Sequence, residues 1–239
     1  RRIDVGDATV VPGLIDAHWH STFTALSQAD MTAPDASPEK LAATVATESA
    51  RTLLRGFTSV RDAGGPIFEL KAAIDAGKMP GPRIWPSGAF VSQTSGHGDL
   101  RQPHERSRRF FGKPSMAEEM GATFIADGRD EVLTAVRENL RMGASQIKLM
   151  AGGGTSSAYD PVDVTQYTFD EMRAAVEAAE DWGTYVTVHA YTVRAVRRAI
   201  EAGVKCIEHG QLLDEDTLKL MAERGIWLST QTLRASTED

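Results

Sequence analysis

Five side chains in this sequence have the types and spacing for metal chemistry: His18 and His20 in "GLIDAHWHST", Lys148 in "QIKLMAGGG", His189 in "TYVTVHAY" and His209 in "CIEHG". Residues i and i+2 of a strand point to one face, about 6.6 Å apart at roughly 3.3 Å per residue. His18 and His20 can therefore converge on one ion, although such a pair taken alone serves equally well as two polar groups at a strand end. Trp19 between them points the other way, toward a helical layer or a neighbouring loop. His189 and His209 close two further apolar runs. A single buried histidine is usually satisfied by a nearby carbonyl. Four of six histidines at three strand ends read instead as a metal cluster, because neutral imidazole is a common nitrogen ligand of zinc and its neighbours.

Lys148 sits inside an apolar strand, where an ammonium is costly unless paired. One reading is a snorkelling or salt-bridged lysine. The other is a neutral amine that takes up carbon dioxide and becomes a carbamate, an anionic oxygen ligand able to bridge two metals. Asp62 in "VRDAGG" ends another strand, and either orients a ligand histidine or bonds to the adjacent glycine turn. Arg101, Arg106, Arg108, Arg109 and Lys113 crowd one loop, which reads as a solvated lid surface unless one arginine captures a substrate carboxylate. The glycines of "AGGG" resemble a phosphate cradle only superficially; they more plausibly let backbone pass close to the metals.

The elements that must position these groups alternate strand and helix. "ATVVPGLIDAHWH", "FTSVRDAGG", "PRIWPSGAF", "SQIKLMAGGG", "TYVTVHAY", "VKCIEHG" and "IWLSTQ" read as strands. Helices are expected at Pro38 to Arg55, at Ile67 to Ala76, and in "RDEVLTAVRENLRMGA", "TFDEMRAAVEAAEDWG", "VRAVRRAIEAG" and "DEDTLKLMAERG". Val91 to Asp127, rich in Gly, Ser, Arg and Pro, reads as a long irregular loop. This order implies a parallel sheet, either open and doubly wound or a (β/α)8 barrel. The barrel is the better expectation, because it puts reactive groups at the C-terminal ends of several strands.

The 239 residues are 41% hydrophobic and 25% charged, which suits one globular domain over residues 1–239. A net charge of -7 argues against nucleic acid as a partner. No run approaches the roughly 18 apolar residues of a membrane span. The one cysteine, Cys206, leaves no internal disulfide and no cysteine-only zinc site, with a reducing cytoplasm as the default location. The chain opens on "RRIDVG" without Met and stops at "RASTED", so it is expected to be the central part of a longer enzyme.

In order, "VVPGLIDAHWH", "SVRDAGG", "GPRIWPSGAFVSQTSGHGD", "DGRDEVLTAVRENLRMGASQIKLMAGGG", "VHAYT" and "IEHG" resemble the amidohydrolase superfamily. The resemblance is closest to its imidazolonepropionase-like, prolidase-like branch and covers nearly the whole chain. It implies a TIM-type barrel, incomplete here at about seven βα units, without strand eight and without the small β-sandwich of family members. It also implies two divalent metal ions, with zinc favoured although manganese and cobalt suit the same donors. His18 and His20 would bind the more buried ion, His189 and His209 the more exposed one, and carboxylated Lys148 would bridge them together with a hydroxide.

The family pattern also requires an aspartate after strand eight. Asp214 and Asp216 fall on the helix after strand six, and Asp239 follows strand seven too soon to be its counterpart. Tyr191 is the implied hydrogen-bond donor to a developing oxyanion, against a loop tyrosine that only packs. His97 in "SGHGD" is an implied substrate contact, against a solvent-facing loop histidine. The implied reaction is cleavage of an amide C–N bond in a small-molecule substrate, a dipeptide or N-acyl amino acid. Cyclic-amide hydrolysis, deamination, a metal-free scaffold and a metal-free phosphate-binding barrel are the alternatives, and a homo-oligomer is left open.

Overall fold

Alternate residues of the central strands are apolar, and the helices between strands cover that face. A computed structural model of the chain describes residues 2–27, 30, 37–156 and 159–231. Its first elements are β1 (Leu14–Trp19), α1 (Ser21–Ala25), α2 (Pro38–Leu54), β2 (Phe57–Asp62), α3 (Phe68–Asp75), β3 (Arg83–Pro86) and β4 (Phe90–Ser92). Then come α4 (Arg108–Phe111), α5 (Met116–Glu119), β5 (Thr123–Ile125), α6 (Arg129–Arg141), β6 (Ile147–Met150) and α7 (Phe169–Asp181). The last are β7 (Val186–Thr192), α8 (Val193–Ala202), β8 (Cys206–Leu212), α9 (Glu215–Glu223) and β9 (Trp227–Ser229).

Local chemistry starts and stops these helices. The Thr168 hydroxyl and Glu171 carboxylate cap α7 reciprocally, and Asp214 caps α9 by accepting the Thr217 amide. Gly203 ends α8 at φ 100°, a left-handed turn that costs glycine little. Val132, Ala135, Val136, Asn139 and Leu140 form the buried stripe of α6, at the spacing of one helix face.

Among the described residues all strand pairs are parallel. They form a three-stranded sheet, β1-β2-β3, and a six-stranded sheet, β5-β4-β6-β7-β8-β9. The larger core, including Val91, Val136, Ile147, Leu149, Met172, Val188, Val196 and Ile207, lies between the larger sheet and α6, α7 and α8. A smaller one joins Val45 of α2, Val60, Ile67 and Ile84, with Trp19 packed against it, so Trp19 does face the helical layer.

The parallel βα order is the one expected, but three details differ. "PRIWPSGAF" is two strands rather than one, because Gly88 (φ 76°) turns the chain between β3 and β4. Asn139 takes up the polar groups this break exposes, donating to the Ala89 carbonyl (2.9 Å) and accepting its amide (3.0 Å). The run from Val91 to Asp127 is not irregular throughout, since it holds α4, α5 and β5. "ATVVPG" lies outside β1, which starts at Leu14, and Val10 and Val11 are exposed.

Among the described residues the strands do not close into a barrel, and β1 does not pair with β9. Side chains bind the two sheets instead. Gln146, buried ahead of β6, donates to the carbonyls of Asp62 (3.1 Å) and Trp85 (2.9 Å). Across the interior, Glu208 of β8 holds Arg61 of β2 and His18 of β1. Among the described residues no helix is long and apolar enough to cross a membrane.

Candidate functional site

Register places the inward groups. Lys148 of β6 stands opposite Thr187 of β7, and His189 opposite Glu208 of β8. Side chains alternate along a strand, so Lys148, Thr187, His189, Tyr191, Cys206 and Glu208 share one face of this sheet. His209 follows Glu208 directly, and a regular strand would turn it to the opposite face. The pairing slips between Ala190 and Thr192, which face His209 and Leu212, so β8 carries an extra residue there. His209 takes up the slip at φ 75°, followed by Gly210 at φ 68°. A non-glycine residue held there costs about 1 to 3 kcal/mol. The bulge thereby brings the His209 ring within 4.5 Å of the His189 ring and 4.8 Å of His18.

His18 and His20 converge as the strand reading expects, although His20 lies just past β1, at the start of α1. Their rings are 5.1 Å apart, with Nε2 facing Nε2 at 3.2 Å. Asp62 accepts the amides of Ser21 (2.8 Å) and Gly64 (3.0 Å), so it belongs to the glycine turn and also ties down the residue after His20. His97 is not solvent-facing. Its ring stacks on His189 at 4.0 Å, its amide donates to Gln166 (2.8 Å), and Nδ1 bonds to the buried Asp160 (3.0 Å). Tyr191 stacks on His209 at 5.1 Å and meets His189 edge-on. Among the described residues, no protein group hydrogen-bonds its hydroxyl.

The glycines after Lys148 have a steric role. A Cβ on Gly154 would lie 2.0 Å from Cε1 of His97, and one on Gly153 would lie 1.8 Å from the Pro161 carbonyl oxygen. They let the loop after β6 pack against the His97 ring and the Pro161 backbone, with the Gly153 carbonyl 2.9 Å from Nε2 of His189. The loop arginines are engaged elsewhere. Arg101 pairs with Asp99, Arg108 with Glu118, and Arg109 with Glu131, while Arg106 covers the Phe111 ring.

Burial sets the charge states. It pushes His20 down to about 3 and His209 down to about 4, with the Lys148 charge acting in the same direction. His18 and His97 are lowered mainly by burial, and His189 is lowered strongly for the same reason. Burial also brings Lys148 down to about 8, against the raising effect of Glu208. Burial alone would raise Glu208, but the His18 hydrogen bond and the charges of Lys148 and Arg61 hold it well below the usual carboxylate range.

Hydrogen-bond partners then fix which ring nitrogens are bare. Nδ1 of His18 meets the Glu208 carboxylate (2.7 Å), and Nδ1 of His20 meets the Gly64 carbonyl (3.2 Å). Both partners only accept, so both Nδ1 atoms carry the proton and the two Nε2 lone pairs face each other. A cation relieves that repulsion. Nε2 of His189 donates to the Gly153 carbonyl (2.9 Å), leaving its Nδ1 bare, and Nδ1 of His209 meets Gln231 Oε1 (2.7 Å). The donor set thus fits divalent cations that accept nitrogen ligands. The rings pack on one another, however, and among the described residues no three His, Cys, Asp or Glu side chains surround a common ligand point.

Sequence reasoning missed Glu208, Arg61 and Asp160. Glu208 and Arg61 stood in plain view beside His209 and Asp62, and a charged residue in an apolar strand was the available signal.

The sequence model of the Amidohydrolase family matches residues 9–239. Ochratoxinase of Aspergillus niger is 36% identical over 222 residues, covering 91% of this chain and 46% of that protein. A crystal structure of a prolidase complexed with N-methylphosphonate-L-proline superposes with a TM-score of 0.83 at 40% identity, over 97% of this chain and 57% of that one. A Xaa-Pro dipeptidase with bound methionine in its active site gives 0.75 at 35% identity, over 91% and 52%. The chain spans about half the length of the curated relatives it matches.

Proposed function

The chain belongs to the amidohydrolase family, and from that premise we propose that it hydrolyses the C–N bond of a dipeptide or N-acyl amino acid with the help of two divalent cations, zinc first among them. The observation that carries this reading is the gathering of His18, His20, His189 and His209 with bare ring nitrogens beside buried Lys148. The dipeptide preference draws on the similar prolidase and Xaa-Pro dipeptidase structures.

In this reading His18 and His20 hold the more buried cation, and His189 and His209 hold the more exposed one. Bound there, the cations would polarise a carbonyl oxygen and lower the pKa of a water toward neutrality. Lys148 contributes its neutral amine. Its nitrogen would add to carbon dioxide and release one N–H proton to solvent, giving a carbamate anion that would supply oxygen ligands for the cations. Tyr191, its ring against those of His189 and His209, donates its hydroxyl hydrogen bond to the oxyanion as the scissile carbonyl becomes tetrahedral. His97, stacked on His189 and steadied by Asp160 and Gln166, forms the wall that meets the substrate.

The test is to measure zinc, manganese and cobalt in the purified chain while screening dipeptides and N-acyl amino acids. About two metals per chain, with hydrolysis lost on chelation and restored by metal, is the expected result. A chain without stoichiometric metal whose hydrolysis ignores chelators would sink the reading.

A further inference from the structure

We propose that Glu208 is a positioning residue: it sets the ring tautomer of His18 and, through it, the cation affinity of the His18–His20 pair. The proposal rests on the metal-dependent reading above for its consequence, though not for the tautomer itself. Glu208 is fully buried, and its two oxygens are spoken for. Oε2 accepts Nδ1–H of His18 at 2.7 Å. Oε1 accepts Arg61 Nη2 at 2.6 Å and the Thr187 hydroxyl, with the Cys206 thiol at 3.6 Å. Arg61 is itself tied to the Ala17 carbonyl through Nε at 2.5 Å, so the carboxylate has no room to turn away.

An ionised carboxylate has no proton to give. His18 must then donate from Nδ1 and present a bare Nε2 toward His20, 3.2 Å away. The neutral isostere reverses this. In Glu208→Gln, the donors Arg61 and Thr187 claim the amide oxygen and leave the NH₂ group facing His18. Nδ1 becomes the acceptor, the ring proton moves to Nε2, and an N–H···N bond to His20 closes across the gap where a cation would be held. Shape and volume hardly change, so the tautomer is the variable.

The experiment uses the ¹⁵N-labelled full chain, zinc-loaded and chelator-treated, with long-range ¹H–¹⁵N spectra of the histidines and zinc titration against a competing chelator. Wild type should show His18 in the Nδ1–H form in both states. Glu208→Gln should show the Nε2–H form without zinc and should bind zinc 10- to 100-fold more weakly, the range typical of lost carboxylate–histidine support. A wild-type His18 protonated on Nε2 overturns the proposal, and that measurement stands even where the variant fails to fold. Equal zinc affinity in the two proteins also overturns it and leaves the metal-dependent reading intact. A wild type that binds no zinc overturns that reading and the affinity consequence with it. The wild-type tautomer tells this failure from the others.

Discussion

Lys148 concentrates the residue-scale chemistry, because its amine is fully buried among imidazoles and a carboxylate. With its pKa down at about 8, against roughly 10.4 for a free lysine, half of the amine is neutral near pH 8 and more is neutral above it. Carbon dioxide adds only to the neutral form. Metal loading should therefore rise with pH through 8 and with added bicarbonate. Lys148→Ala should lose bound zinc and activity, with partial rescue by short carboxylic acids; an active, metal-replete Lys148→Ala would end the carbamate assignment. Tyr191 makes a separable claim. Tyr191→Phe keeps the stacking on His209 but removes the donor, so kcat should fall about 10²- to 10³-fold with KM little changed. An unchanged kcat would return Tyr191 to packing.

Among the elements, the break between β3 and β4 shows how the fold pays for a change of direction. Asn139 on α6 satisfies both the amide and the carbonyl of Ala89 in a buried position. Asn139→Leu keeps the branched shape but orphans both groups, at about 1 to 3 kcal/mol each. Urea unfolding should show a loss of about 2 to 6 kcal/mol, and a variant as stable as wild type would mean the break is held elsewhere. The bulge in β8 is the other decisive feature. Without it Glu208 and His209 would face opposite sides, and the charge that steadies His18 could not share a cavity with the ring beside it.

The whole molecule should be acid-sensitive in its metal-free form. His18, His20, His97, His189 and His209 all have pKa values in the fold below the roughly 6.5 of a free histidine. The unfolded chain therefore gains protons that the folded chain refuses as pH falls below about 6.5, and stability drops toward pH 4. Glu208, depressed in the fold, adds stability above its unfolded value of roughly 4.3 that is lost as pH falls through its folded value. Asp62, raised to about 6 by burial, works against this trend between about pH 4 and 6, as one group against five. Urea midpoints of the chelator-treated chain should fall steadily from pH 7 to pH 5. A flat profile would contradict the buried neutral cluster.

Residue types and short-range periodicity are local properties, and they made the βα order, the strand-end histidines and the odd lysine of β6 legible in the sequence. The same alternation misled where the chain departs from regular pairing. Three-residue β5 is too short to show a period, Gly88 splits an apparently continuous strand, and the slip at His209 inverts a face. The contacts of Glu208 with His18 and of Asp160 with His97 span 190 and 63 residues. No spacing in the sequence encodes them, because they arise only when separate strands and loops come together. The sequence by itself determined which groups could bind a metal; the tertiary structure decided which ring nitrogens are left bare to do so.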